Sequence, residues 1–561
     1  MRMWPTARRH GPAIIAALFS GSTLILMFLV DYTDDEGFQA YLYTRILLEE
    51  PIAGIFVQKL KWAGTMLYLP VFGFGWKIFL VWHKVLAGAG IYLLGKATEG
   101  LTRKGWIASL VLATSPAYIF SSMAGHSNIV GVFYAALILY LLVARRSFFW
   151  AGMALGALPW VRHEYFIFVA GLALYAVLKD RNPRFFGGLL MFPVVYLSIG
   201  AVYHGDILWW LHYLPALTTP EPTCTWYRQW EAAYLQRLIS MLGVITPAWP
   251  LLFLMSWRKK SPLEKALLIS LVATFLFMFI VPFTRFLKFD HDVRYWLVFL
   301  PFLSVGAGGL DLSGKRRKTA YLCGGLSLVG IVLSLSDMTA SLWLPVTIAC
   351  TIPLLMLAVG LTLRKPVYQV AAFLLMVVVI VVSSPRNSPW YDHLRYRPHA
   401  GIQQAAEWLS GDQRAARARG VYTNLHQLDM FIQDEYPDSG IKINYLVQYD
   451  IQYELYHILN HDNHQYRDVL KAIGPHLFGT AAWTCQFADR RDYSGDIFVI
   501  SDDYRLRVTY PDKFWQCMSD EVVRYADVSI RVGKPISANP ECRDAGIVLD
   551  DPVVREPCRS E

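Results

Sequence analysis

Charge is what this sequence has least of. Only 17% of its 561 residues are Asp, Glu, Lys or Arg, against about 25% in an ordinary soluble domain. With 55% hydrophobic residues and a mean hydropathy of +0.34, too few charges remain to coat a water-exposed globule of this size. Windows of about 20 apolar residues instead follow one another, which reads as a polytopic helical membrane protein. Cysteine is also scarce, with seven in all, and no CxxC or CxxH pair occurs, which argues against a zinc site. The first apolar run, residues 11–30, lacks a small-residue cleavage site and is too long for a removed signal peptide, so it reads as a retained first helix. Nucleic acid is excluded as a partner despite the net charge of +9, because the Lys and Arg residues fall in short connections between apolar runs and not in a basic–aromatic surface.

Those connections set the topology. Arg2, Arg8 and Arg9 precede the first run and place the N-terminus in the cytoplasm. Residues 37–75 then form a long outer loop, in which Phe38, Tyr41, Leu42 and Ile46 recur at helical spacing until Pro51, as in a helix lying in the interface. Further spans are expected at about 76–95, 106–122 and 128–144. Arg145-Arg146 before residues 147–178, and Lys179, Arg181 and Arg184 after them, require the same inner side. That stretch is therefore two short spans broken near 159–164, with Arg162-His163-Glu164 dipping into the outer leaflet. Spans at about 186–203, 236–256 and 264–283 follow. A tenth ends at Lys315-Arg316-Arg317-Lys318, and three more lie near 319–336, 341–362 and 367–383. About 13 spans result, an odd number, so residues 384–561 lie outside as a second domain after the transmembrane part, residues 1–383. Strand-like runs at 420–423, 496–500 and 528–532, with a helix over 399–410, make this an extracytoplasmic α/β domain. Cys485, Cys517, Cys542 and Cys558 fall in it, an even number where oxidation is permitted, and two disulfides of open pairing are expected.

The chemistry concentrates immediately after the first span, where Asp31, Asp34, Asp35 and Glu36 crowd a membrane surface. Repulsion and partial desolvation raise the basicity of at least one of them, which suits removal of a proton from a hydroxyl. The same acids would also cap a helix beginning at Gly37. The other charges at membrane depth, His126, Arg162 to Glu164 and Arg285 to Arg294, fall on the same expected side. An outward-facing pocket of carboxylates and cations is the economical inference.

In these residues, and in their order, the chain resembles the GT-C superfamily of polyprenyl-phosphate-sugar-dependent glycosyltransferases. Asp35-Glu36 stands after the first span as the Asp-Glu motif does there. Arg162-His163-Glu164 is similar to the Arg-Pro-Glu of many members, and Arg294-Tyr295 leads to Pro301 as in others. The odd span number with an outer α/β domain matches the oligosaccharyltransferase, protein-mannosyltransferase and aminoarabinose-transferase branches. The chain departs in lacking a Lys-Pro-Pro or His-Pro-Pro in the first loop, and in carrying His126-Ser127-Asn128 where others have an acid. No metal ligands and no branch are therefore assigned, and participation of a divalent cation is left open.

The resemblance implies transfer of a hexose or pentose from a lipid phosphate to a glycan, lipid or protein acceptor at the outer face of the plasma (inner) membrane. A phosphate leaving group needs positive charge more than a proton donor, and Arg294, Lys288 and Arg285 are the candidates. Asp35, with Asp34 next, is the expected base in an inverting displacement, and Glu36 orients the acceptor or a metal. Arg162, Glu164, His126 and Tyr295 support the pocket; Lys59 and Lys61 either meet the phosphate or snorkel. The alternatives are a transporter or flippase of a lipid-linked saccharide, for which no paired repeats are found, and a sugar-polymer ligase or polymerase.

Overall fold

The structure is a computed structural model. It describes residues 3–30, 51–56, 61–176 apart from 103, 181–212, 262–284, 297–308, 398–423 apart from 419, 443–445, 495–501, 519–525 and 528–533, with isolated positions between 40 and 48 and between 428 and 441. The chain divides into two compact units. One comprises Met1–Ala40, Lys61–Val71 and Lys77–Leu394, and the other Tyr41–Leu60, Phe72–Trp76 and Arg395–Glu561.

The first unit is helical. Among the described residues two helices are long and apolar enough to cross a bilayer, within Trp76–Thr102 and over Pro183–His204, and a bent pair would make a third. The run expected at 128–144 is the Asn128–Val143 helix, and that at 264–283 lies within Pro262–Thr284. The run expected at 106–122 departs from a single span: Gly105–Ala113 and Pro116–Ala124 meet at an angle of 70°. The cause is local. Ser115 is extended (φ −71°, ψ 122°), as a residue before proline prefers, and Pro116 opens the second piece because its missing N–H is not needed there. The stretch 147–178 breaks as Phe148–Val161 and Phe166–Tyr175, with the break at Arg162 and Pro159 kept inside the first helix. The spans expected at 236–256, 319–336, 341–362 and 367–383 lie outside the described residues, as do the four cysteines Cys485, Cys517, Cys542 and Cys558.

Small residues bring these helices together. A Cβ on Gly88 would stand 2.0 Å from Ser20 Oγ and one on Gly95 2.7 Å from Pro12, so the Met3–Val30 and Trp76–Thr102 helices run antiparallel in close contact. Ser20 Oγ donates to Lys84 O at 3.1 Å across the same seam. The Phe148–Val161 and Pro183–His204 helices meet through reciprocal glycines: a Cβ on Gly152 would lie 2.1 Å from Phe185 O, and one on Gly188 2.0 Å from Phe149 O. Where lipid removes the hydrophobic drive between helices, such backbone proximity carries the association.

The second unit contains a five-stranded sheet in the order β2-β1-β3-β5-β4, with β1 Val421–Thr423, β2 Ile443–Tyr445, β3 Ile497–Ser501, β4 Ser519–Tyr525 and β5 Val528–Gly533. β1 is parallel to β2 and β3, while β5 is antiparallel to β3 and β4. The Pro398–Gly411 helix presents Ile402, Ala405, Ala406 and Leu409, one face at helical spacing, to a core with Val421, Ile497, Val499, Val528 and Ile530.

The helix contact at Gly152 yields a stability test. Gly152→Val should force the Phe148–Val161 and Pro183–His204 helices apart and cost about 1–3 kcal/mol, read as a lowered melting temperature of the detergent-solubilised protein; an unchanged melt would show that the backbone contact carries no stability.

Candidate functional site

Arg162 sits where one apolar helix stops. Its N–H still donates to Leu158 O at 3.0 Å, but its own backbone is extended (φ −154°, ψ 123°). A turn of 3₁₀ helix, His163–Tyr165, then redirects the chain into Phe166–Tyr175. The elbow is buried, with Arg162 2% and Glu164 9% exposed, so a lone charge there would be costly. The pair answers this within two residues. Arg162 Nε donates to Glu164 Oε2 at 3.1 Å and Arg162 Nη2 pairs with Glu164 Oε1, a two-pronged contact. The remaining guanidinium nitrogen, Nη1, donates to Ser127 Oγ at 2.8 Å.

A second cation meets the same hydroxyl. Lys61 Nζ donates to Ser127 Oγ at 3.5 Å, and its charge acts on the Glu164 carboxylate. Two cationic side chains thus meet at one hydroxyl beside the Glu164 carboxylate. Lys61 has a left-handed backbone (φ 48°, ψ 44°), which costs a non-glycine residue about 1–2 kcal/mol. Neighbouring contacts hold it there. Its carbonyl accepts from Gly64 N at 2.8 Å and starts the Trp62–Thr65 turn. Tyr134 Oη donates to Ala63 O at 2.9 Å, and Trp62 stacks on Phe192 at 5.4 Å.

Ser127 is presented by a turn built from polar groups. The Pro116–Ala124 helix ends at Gly125, whose φ of 81° suits glycine. His126 is fully buried, its N–H donating to Ser121 O at 3.0 Å and its Nδ1 lying 3.2 Å from Ser121 Oγ. Lys84, fully buried in the Trp76–Thr102 helix, donates from Nζ to Met123 O at 3.4 Å, at the C-terminal end of the Pro116–Ala124 helix. Across the site, Gly131 makes room for the elbow: a Cβ there would stand 2.7 Å from Tyr165 Cε2 and 3.2 Å from Arg162 Cγ. Tyr165 Oη, Asn128 Oδ1 and Ser122 Oγ are buried without a hydrogen-bond partner among the described residues, a state costing about 1–3 kcal/mol per atom.

Of the residues singled out in the sequence, Arg162 and Glu164 stand together, and His126 lies beside them at the turn carrying Ser127. Asp34, Asp35, Glu36, Arg285, Lys288, Arg294 and Tyr295 lie outside the described residues. Among the described residues no group of three His, Cys, Asp or Glu could hold a metal ion. Sequence reasoning gave no role to Ser127, Tyr134 or Lys84. Only Lys84 carried a signal, as a lone charge deep in an apolar run.

No family model matches the sequence, and no curated protein matches it. Solved structures do. The chain is similar to ArnT from Cupriavidus metallidurans bound to undecaprenyl phosphate, with 15% identity, a TM-score of 0.53, and coverage of 92% of this chain and 97% of that one. The apo structure of the same ArnT aligns over the same shares, also at 15% identity, with a TM-score of 0.54. The chain therefore shares the fold of ArnT, the kind of architecture that the motif order led us to expect.

The buried pair should behave as a unit. Glu164→Leu leaves Arg162 uncompensated and should cost about 3–5 kcal/mol, Arg162→Met should do the same to Glu164, and the double variant carrying both substitutions should recover much of that loss. Unfolding of the four proteins in detergent closes the cycle; additive losses would show that the two charges do not interact.

Proposed function

We propose that this protein is a glycosyltransferase that moves a sugar from a polyprenyl-phosphate donor to an acceptor hydroxyl in an inverting displacement. One observation carries the reading: the side chains of Lys61 and Arg162 converge on the Ser127 hydroxyl at the buried elbow, two cationic donors of the kind that hold a phosphate. The reading is supported by a fold shared over 92% of the chain with ArnT, which binds undecaprenyl phosphate in its solved complex.

In the proposed reaction the acceptor oxygen attacks the anomeric carbon from the face opposite the phosphate. The carbon–oxygen bond to phosphate breaks, the phosphate departs with the electron pair, and Asp35 takes the acceptor proton, with Asp34 next in line and Glu36 orienting the acceptor. Lys61 and Arg162, with Arg294, Lys288 and Arg285, stabilise the charge that develops on the leaving group. The catalytic face and the domain from residue 384 are extracytoplasmic, and the N-terminus is cytoplasmic.

The test uses the full chain in lipid nanodiscs with radiolabelled undecaprenyl-phosphate sugars. Asp35→Asn should lower transfer by about 10²–10⁴-fold while lipid binding persists. Lys61→Met should raise the donor KM about tenfold or more. Full transfer by Asp35→Asn would remove that residue as base. In sealed proteoliposomes, movement of a lipid-linked saccharide across the bilayer without transfer would put a transporter in place of the enzyme.

A further inference from the structure

Two buried polar atoms belong to residues next to the contacts of Arg162, and the ion pair does not use them. Asn128 follows Ser127, the serine that accepts from Arg162 Nη1, and its Oδ1 is buried with no hydrogen-bond partner among the described residues. Gly131, one turn further along the same helix face, is where the Tyr165 ring and the Arg162 stem press against the backbone. Tyr165 is 2% exposed, and its hydroxyl likewise has no partner among the described residues. The two residues sit on the two elements that hold Arg162, Asn128 at the start of the Asn128–Val143 helix after Ser127, and Tyr165 at the end of the elbow.

Their chemistry is complementary in a way that selects a ligand. Asn128 Oδ1 can only accept, whereas the Tyr165 hydroxyl can donate or accept. Phosphate oxygens cannot satisfy both, because a phosphate diester has no proton to give to Asn128. A sugar hydroxyl donates and accepts at one atom, and adjacent hydroxyls present both functions in a row. A phenylalanine would fill the Tyr165 position with the same ring and without an unmade hydrogen bond. Retention of the oxygen is explained by a partner that arrives with substrate.

We propose that Asn128 and Tyr165 form a subsite that hydrogen-bonds hydroxyl groups of the donor sugar beside the Arg162–Glu164 pair. The inference rests on the donor reading given above and adds to it the face on which the sugar is recognised. Tyr165 and Asn128 would distinguish a sugar-bearing lipid from the bare lipid phosphate, which Lys61 and Arg162 would hold in either case.

The test measures ligand-induced thermal stabilisation and dissociation constants of the full chain in nanodiscs. The probes are bare undecaprenyl phosphate and undecaprenyl phosphate linked to glucose, mannose or arabinose. For the wild-type protein at least one sugar lipid should bind more tightly than the bare lipid. Tyr165→Phe should weaken that sugar lipid by about five- to tenfold, leave the bare lipid unchanged, and keep or raise the melting temperature of the ligand-free protein. Asn128→Ser provides a second variant, with the same selective loss expected. If Tyr165→Phe and Asn128→Ser retain the full sugar-dependent gain, or if no sugar adds affinity in the wild type, the subsite is overturned while phosphate binding stands. If the wild type binds neither kind of lipid, the donor reading falls and the subsite with it.

Discussion

A guanidinium kept out of water must have every polar direction answered, and this requirement organises the centre of the helical unit. Arg162 directs Nε and Nη2 to Glu164 and Nη1 to Ser127. Those partners come from two breaks in helical structure, the elbow at 162–165 and the turn at 125–127. In an apolar surrounding such breaks are tolerated only where polar groups are satisfied from within the protein. The ion pair and the helix breaks therefore depend on each other. Removing the charge would leave the turn without its anchor, and straightening the helix would carry the carboxylate away from the guanidinium.

The second cation at Ser127 follows from a second local constraint. Lys61 reaches Ser127 from a backbone conformation that a lysine does not prefer, and the turn after it is fixed by Tyr134, by Trp62 on Phe192, and by Gly64 lying against Val130 and Val161. The interaction of Lys61 with the buried pair is thus set by packing on two apolar helices, not by attraction between charges alone. Preorganisation of this kind matters for an anion site, because donors already in place need no rearrangement when charge develops.

Much of this was legible in the sequence, for identifiable reasons. The helix boundaries at 128 and 183 coincide with sharp changes from polar to apolar residues. The break in 147–178 was forced by the positions of Arg145, Arg146, Arg181 and Arg184. Its location at Arg162 and not at Pro159 was not legible, because a proline near the end of a helix can remain helical when the preceding turn keeps its bonds. The bend between Ala113 and Pro116 was hidden inside an unbroken apolar run, with only Ser115-Pro116 to mark it. Ser127 stood out only as part of His126-Ser127-Asn128, where relatives carry an acid; its role was not legible, because it comes from the two cations that long-range folding brings to the hydroxyl.

The order of strands in the second unit has a consequence for how the protein is made. β3 lies at the centre of the sheet, between β1 and β5, yet Val421 of β1, whose first parallel neighbour is Ile443, meets its second only at Ile497. Pairing across such a sequence distance is slow, because a large loop must close before any contact rewards it. The five-stranded sheet is therefore complete only once residue 533 has been made, long after the helical segments before residue 308. Synthesis of the helices and closure of the sheet are separated in time by the chain's own topology, and a stop codon between β1 and β5 would release a chain with its helical segments made and its sheet incomplete.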